Sequence, residues 1–374
     1  MKIHFPIPGH LKKEFLSEFI ERIAYLSPNI QFVQFLESEG VIEVELIKDE
    51  NIENFQLSYS ELSESSKRWK FLNEKELKSN LSMDQQHIYS AEKVADVAFY
   101  GELELKLLEF FDQQFIEIAR NAGATLRQYP VTLTNEIMEK CKYHTNFPQN
   151  IFAVFEIPHN YQIIDSIRQE GNGFHAGHFQ DSGRFLQPCV CYHCYSEWTN
   201  QQFTSPKIIT AKGNCFRHEI QWRLNPLRKL EFTMREIVFI GSEEQILDLR
   251  MEILDEVWNL FNDLNLNGKV VTASDPFFFY EDMDKVTYQK MANAKYELVA
   301  VTNGESSSIA SFNYCDDTLC KSFDITNKYG ENLKSGCVAF GIDRWLQVFL
   351  NQYGKDDACW PEKLFEKKGG EIFA

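Results

Sequence analysis

Several things are missing from this sequence, and each absence narrows what the chain is. No stretch approaches the roughly 20 apolar residues that a membrane-crossing helix needs. The start, Met1-Lys-Ile-His-Phe-Pro6, carries no apolar core of a secretion signal. Basic residues are in deficit: 38 Lys and Arg stand against 55 Asp and Glu, a net charge of −17. Surfaces that bind nucleic acid collect cations, so this balance speaks against a general nucleic-acid face. There is no internal repeat and no long basic stripe or helical arm. Nine cysteines are present, yet a second CxxC pair is lacking, since Cys315 and Cys320 do not form one. Without a secretion signal these cysteines read as free thiols or metal ligands, and a cytoplasmic protein is expected.

What is there fits two domains, because 374 residues exceed the usual size of one. Residues 1–95 read as a small α+β domain and connector, and residues 96–374 as the larger domain. In the first, Ile3–Pro6 is extended and Leu11–Tyr25 has helical periodicity. Ile30–Leu36 and Val41–Ile47 alternate around the turn Glu37-Ser-Glu-Gly40. Residues 51–90 are polar and form the connector, with some helix and with Trp69, Phe71 and Leu72 needing burial. A long helix is expected over Leu103–Ala122, then a strand from Thr125 to Pro130 and a second helix over Thr132–His144. Strands are expected at Ile151–Ile157, Val190–Tyr195, Ile208–Glu219, Glu231–Ile240, Tyr296–Val301 and Ile309–Tyr314. Helices are expected at Glu243–Leu264, capped by Ser242, and at Asp343–Tyr353. Consecutive strands joined by turns imply an α+β fold with an antiparallel sheet flanked by helices.

The stretch Gly213-Asn-Cys-Phe-Arg-His-Glu219 carries the chemistry. In an extended chain Arg217 and Glu219 share a side. A turn at Leu224-Asn-Pro-Leu-Arg228 then leads back along Leu230–Ile240. An arginine and a carboxylate on one hairpin suit a nucleotide: guanidinium to phosphate, carboxylate to an exocyclic amine. Phe216-Arg217-His218-Glu219, followed by Arg228, Phe232 and Glu236, resembles motif 2 of the class II aminoacyl-tRNA synthetases. Gly341-Ile-Asp-Arg344 entering an apolar helix resembles their motif 3, and Leu103–Pro130 their motif 1, which builds a dimer interface. The resemblance covers about residues 97–355.

That resemblance implies ATP-dependent activation of an amino acid to an aminoacyl-adenylate, with Mg2+ accompanying ATP. Arg217 would hold the α-phosphate, Glu219 the adenine amino group and Arg228 the γ-phosphate. Phe232 and Arg344 would sandwich the adenine ring, and Arg217 and Arg344 would be the catalytic pair. Pro188-Cys-Val-Cys191-Tyr-His-Cys194 adds a second constellation. A three-ligand zinc with one open position fits Cys191, Glu236 and Cys337, with Cys189 and Cys194 as rivals for the first ligand. Zinc held by two thiolates and one carboxylate in this core resembles the methanogen-type seryl-tRNA synthetases and their truncated homologues, the amino acid:[carrier protein] ligases. In both, the zinc binds the substrate's amino group.

Lys295-Tyr-Glu297 and Ser311-Phe-Asn313 resemble the substrate-binding strands, which makes Glu297 and Asn313 expected amino-acid contacts. The chain departs from the pattern just before Asn313. Relatives place a magnesium-binding acid there, whereas this chain has Ser307, Ser308 and Ile309, with Glu305 the nearest acid. The expected acceptor is the phosphopantetheine thiol of an acyl or peptidyl carrier protein, met by a patch of Lys212, Arg223, Arg228 and Lys229. The expected substrate is glycine, alanine or serine, with Trp198 and Trp222 narrowing the pocket, and the expected assembly is a homodimer. A tRNA synthetase and a non-catalytic binding paralogue are the alternatives.

Overall fold

The computed structural model describes residues 1–47, 51–69, 73–81, 99–171, 173–275, 289, 291–302, 304–356 and 360–361. The expected boundary at residue 95 and the side chains of Phe71 and Leu72 lie outside them. The chain divides into two compact units. One comprises Met1–Glu74, Ile220–Leu224 and Ser274–Ala292, and the other comprises Lys75–Glu219, Asn225–Ala273 and Asn293–Ala374.

The smaller unit is β1 (Lys2–Pro6), α1 (Leu16–Ile23), β2 (Ile30–Leu36), β3 (Val41–Leu46) and α2 (Ile52–Ser66). Its antiparallel sheet runs β1-β3-β2, with the β2–β3 turn closed by Gly40 at φ +66°, a left-handed geometry that suits glycine. Ile42, Val44 and Leu46 meet Phe19, Ile23, Phe55 and Tyr59 in its core. Residues 52–66 supply helix expected within the connector, but as a part of this core and not as a link beside it. They form a helix capped by Asn51, which accepts the Asn54 N–H, and buried Phe55 and Tyr59 hold it in this core. Trp222 packs here beside Phe32, with ring centroids 6.4 Å apart, and not at the expected substrate pocket.

The larger unit begins with β4 (Glu76–Ser79), α3 (Glu102–Asn121), β5 (Thr125–Arg127) and β6 (Thr132–Thr134). Short helices α4 (Asn135–Lys140) and α5 (Tyr143–Asn146) precede β7 (Ala153–Glu156), α6 (Tyr161–Glu170) and β8 (Gln180–Leu186). Next come α7 (Cys191–Glu197), β9 (Gln202–Phe203), β10 (Lys207–Phe216), β11 (Glu231–Gly241), α8 (Glu243–Asp263) and β12 (Gly268–Thr272). The unit closes with β13 (Lys295–Thr302), β14 (Glu305–Asp316), α9 (Thr318–Ser322), β15 (Thr326–Asn327), β16 (Lys334–Gly341) and α10 (Ile342–Tyr353). Eight strands form one sheet in the order β4-β12-β13-β14-β16-β11-β10-β5. Every pairing in it is antiparallel except β5 beside β10.

Register assigns the two faces of this sheet. Glu236 lies opposite Ala339, Val238 opposite Cys337, Cys337 opposite Asn313, and Ser311 opposite Glu297. Side chains alternate, so these residues share the front face, and their chain neighbours point to the back. The back collects Ile237, Phe239, Leu298, Phe312, Val338 and Phe340 against Phe111 and Phe115 of α3, Val257 of α8 and Trp345 of α10. Phe115 stacks on Phe340 at 4.2 Å. An ion pair is buried on this side: Arg235 Nε and Nη2 donate to the two oxygens of Asp112 at 2.6 and 3.1 Å. β14 carries one extra residue against β13: Ala310 faces Leu298 while Ser308 faces Val299, which leaves Ile309 unpaired as a bulge.

Two expected elements differ. Residues 190–195 form the start of helix α7 and not a strand, because a carboxylate fixes its first turn, as described below. Residues 132–144 do not form one helix. Thr132–Thr134 pairs with β8, and Lys142 at φ +54° breaks the remainder into α4 and α5. No described helix is long and apolar enough to cross a membrane.

Candidate active site

β10 ends at Phe216, so Arg217 and Glu219 are placed by a loop and not by strand alternation as expected. The Arg217 N–H donates to the Leu230 carbonyl at 2.9 Å, and the Glu219 N–H to the Arg217 carbonyl at 2.8 Å. That tight bend turns both side chains into one pocket. The turn opposite is closed by Asn225, whose side chain accepts the Leu227 N–H at 2.8 Å and whose backbone pairs with Arg228. The pocket is lined by Arg217, Glu219, Arg228, Phe232 and Arg344, together with Pro226, Leu227, Lys229 and Asp343.

Three guanidinium groups converge here with few acids to offset them. Burial first, then the charges of Arg217 and Arg228, pull Arg344 down to about 10. It is still cationic at neutral pH, and its fork is fixed by carbonyls: Nε to Leu227 and Nη1 to Ser308, both 2.8 Å. Arg217 bonds the Pro188 carbonyl at 3.2 Å and lies over the Phe232 ring at 5.1 Å. Arg228 reaches Glu219 at 3.5 Å. A pocket of this kind suits a polyanion with an aromatic base. Lys229 and Asp343 were missed as pocket residues by sequence reading. Lys229 bonds Asp343 at 3.2 Å as well as the Tyr100 hydroxyl. Their pairing depends on contacts between distant segments, which no local pattern reveals.

Along the same face lies the cysteine cluster. The Glu236 carboxylate accepts the N–H of Val190 at 2.9 Å and of Cys191 at 3.1 Å. These bonds anchor the first turn of α7. Burial, then the nearby Cys337, raises Glu236 to about 7. Hydrogen bonds to Cys189 and Cys337, and then burial, push the Cys191 thiol well up. Cys337 also receives the Asn313 side-chain amide, at 3.4 Å from its sulfur. Ligand atoms of Cys189, Cys191 and Glu236 all lie within 4.8 Å of one another.

This donor set fits a zinc ion. Each carboxylate oxygen of Glu236 has accepted one backbone N–H and keeps a second lone pair. Thiolates on one tetrahedral zinc stand about 3.8 Å apart, given Zn–S near 2.3 Å. The Cys189 and Cys191 sulfurs are 3.4 Å apart, so only a small side-chain rotation is required. Zinc would also relieve the burial of groups that ionise poorly here. Of the rivals, Cys189 joins the cluster, whereas Cys194 is hydrogen-bonded to Tyr129. Trp198 is buried in the apolar cluster that also holds Cys191 and Cys337. The hydroxyl of Tyr195 in the same cluster is buried with no hydrogen-bond partner among the described residues.

Other expected residues fall as follows. Asn313 lies beside Cys337, and Glu297 sits on the neighbouring strand β13 on the same face, 2.9 Å from Lys295. Glu297 is near enough to bear electrostatically on Arg344. Glu305 starts β14 opposite Thr302, at the far end of the hairpin, and does not line the pocket. The expected basic patch is not a free one. Lys212 pairs with Asp112, Arg223 with Glu21, Arg228 with Glu219 and Lys229 with Asp343.

Residues 184–353 match the tRNA synthetase class II core domain (G, H, P, S and T). Amino acid--[acyl-carrier-protein] ligase 1 of Bradyrhizobium diazoefficiens is 29% identical over 252 residues, covering 66% of this chain and 76% of that protein. The type-2 serine--tRNA ligase of Methanopyrus kandleri is 25% identical over 275 residues, covering 67% of this chain and 52% of that one. The present chain thus spans about half the length of that synthetase. Among solved structures, the complex of A. aeolicus tRNASec with M. kandleri SerRS matches with a TM-score of 0.70 at 19% identity. That match covers 97% of this chain and 76% of that one, and at such identity it speaks for the fold alone. Residues 184–353 thus carry a class II aminoacyl-tRNA synthetase core, and the chain is similar to the amino acid--[acyl-carrier-protein] ligases and to the type-2 serine--tRNA ligases.

Proposed function

We propose that this chain activates a small α-amino acid with ATP and transfers it to the phosphopantetheine thiol of a carrier protein. The observation that carries this reading is the convergence of Arg217, Arg228 and Arg344 in one pocket, on the same unit as the Cys189–Cys191–Glu236 group, which Cys337 adjoins through Cys191. The triphosphate of Mg-ATP would take the arginines, and the base would enter beside Phe232 and Glu219. The amino acid would lie toward Glu297 and Asn313. Its carboxylate oxygen attacks the α-phosphorus and pyrophosphate departs. The carrier thiol then attacks the acyl carbon, and AMP leaves. Arg217 and Arg344 would hold the charge that develops on phosphate, which fixed, water-poor cations do well. Zinc held by Cys191, Glu236 and Cys337 would supply a Lewis acid for the amino group.

A carrier protein as acceptor is supported by the ligase relative, of which this chain covers 76%. The paired cations rule out the simple picture of an unoccupied basic landing strip. An acidic carrier would have to compete with Asp112, Glu21, Glu219 and Asp343 for them. A tRNA acceptor is the second reading. It is favoured by the type-2 serine--tRNA ligase relative, 25% identical over 67% of this chain.

Amino-acid-dependent exchange of pyrophosphate into ATP, screened over twenty amino acids with zinc measured on the same sample, tests the reading. Exchange with one small amino acid and about one zinc per chain is the expected result. No exchange with any amino acid would leave the binding paralogue as the better account. Charging of carrier protein against tRNA with the same amino acid then separates the two acceptors.

A further inference from the structure

We propose that Cys189 is a metal ligand alongside Cys191, Glu236 and Cys337, so that this chain offers three thiolates and one carboxylate to a single ion. The inference rests on the zinc reading above and extends it. Cys189 stands before Val190, whose backbone is helical at φ −85° and ψ −29°. In extended backbone, residues two apart stand about 7 Å from each other. The helical residue between them instead folds the two sulfurs together at 3.4 Å. The same short stretch gives the Val190 and Cys191 amides to Glu236, so one bend positions three donor groups. Cys191 touches both Cys189 and Cys337; Cys337 stands outside the group whose ligand atoms lie within 4.8 Å of one another and must move inward to join the ion.

Charge is the natural objection, since four anionic donors on a dication leave a net negative centre. Arg217 answers it, because its cation acts on both Cys189 and Glu236 from the adjoining pocket. Tetrahedral zinc accepts four protein donors of this kind. The consequence is a site filled by the chain itself, in which an amino group must compete with Cys189 for its place. That separates a centre with one position standing open from one that the substrate must open.

The test is the number of sulfur neighbours of zinc, read by X-ray absorption on the zinc-loaded full chain without amino acid. Three sulfurs are expected, falling to two in Cys189→Ser while zinc stays bound, and remaining three in Cys194→Ser. Two sulfurs in the unaltered chain, unchanged in Cys189→Ser, overturn the proposal and leave the Cys191–Glu236–Cys337 reading intact. A chain that retains no zinc after gentle preparation overturns both. Circular dichroism checks that each variant is folded. If Cys189→Ser does not fold, the sulfur number of the unaltered chain decides alone.

Discussion

The two faces of the large sheet are cut from the same strands and do opposite things. Ile237, Phe239, Val338, Phe340 and Phe312 point back into the apolar core. Glu236, Cys337, Asn313, Ser311 and Glu297 lie one step away in sequence and point forward to groups that titrate or bond. The back is an ordinary core in which each side chain is stabilised by area removed from water, about 25 cal/mol per Å2. The front holds groups whose burial is unfavourable by itself. Glu236 is 2% exposed and rests on two backbone amides. The difference teaches that packing holds the strands rigid so that the front can keep unfavourable groups at fixed spacing.

Substitutions can break that division of labour, and the largest effect on stability should come from the back. Phe340→Ala, which removes a ring stacked on Phe115, should lower unfolding free energy in urea by about 3–5 kcal/mol. Exchange activity per folded molecule should survive it. Arg217→Ala should do the reverse, cutting pyrophosphate exchange by about 10²- to 10³-fold with a smaller change in the urea midpoint. Equal effects of the two variants on both readouts would erase the distinction.

Glu236 sharpens it through pH. Its folded carboxyl titrates at about 7 against 4.5 in the open chain, so between those values the folded protein holds a proton that the unfolded chain has lost. Stability of the metal-free protein should therefore fall as pH rises through that window, by at most on the order of 3 kcal/mol. Glu236→Gln should flatten this part of the urea-midpoint profile, and loading with zinc should do the same. The smallest effect should follow Lys212→Ala. Its ammonium is half-exposed at 2.8 Å from Asp112, so removal should change stability by less than about 1 kcal/mol in the same urea titration. Asp112 keeps its bidentate partner Arg235.

Legibility in the sequence followed the kind of force at work. Strands β10, β11, β13 and β14 and helices α3, α8 and α10 announced themselves because their apolar residues recur with a regular period. α7 did not. Val190–Tyr195 has strand-like composition, and its helical first turn depends on Glu236, which is 45 residues away at Cys191. The segment around α2 read as connector because its apolar residues are sparse, yet Phe55 and Tyr59 suffice to bury it. Sequence motifs brought Arg217, Glu219, Arg228, Phe232 and Arg344 to notice, and all five line one pocket. Lys229, Asp343 and Cys189 were harder, since their partners come from elsewhere in the chain. Each of the four cations of the expected patch has an acid neighbour that no spacing rule predicts.

The unpaired Ile309 has a further meaning. On one side of it, Ser311 and Asn313 face forward; on the other, forward-facing positions fall on Ser306 and Ser308. Ser307 instead lies opposite Ala300, whose methyl is part of the back core. The extra residue acts as a phase slip in the strand, exchanging odd for even numbers. It also leaves successive carbonyls facing the start of α10, Ser308 to Arg344 and Ile309 to Trp345. Counting backward from Asn313 for a missing acid therefore crosses a frame boundary and arrives on the opposite surface. A carboxylate placed at position 307 would point to the back of the sheet, and one at 308 would stand on the front, where the Ser308 carbonyl already accepts from Arg344.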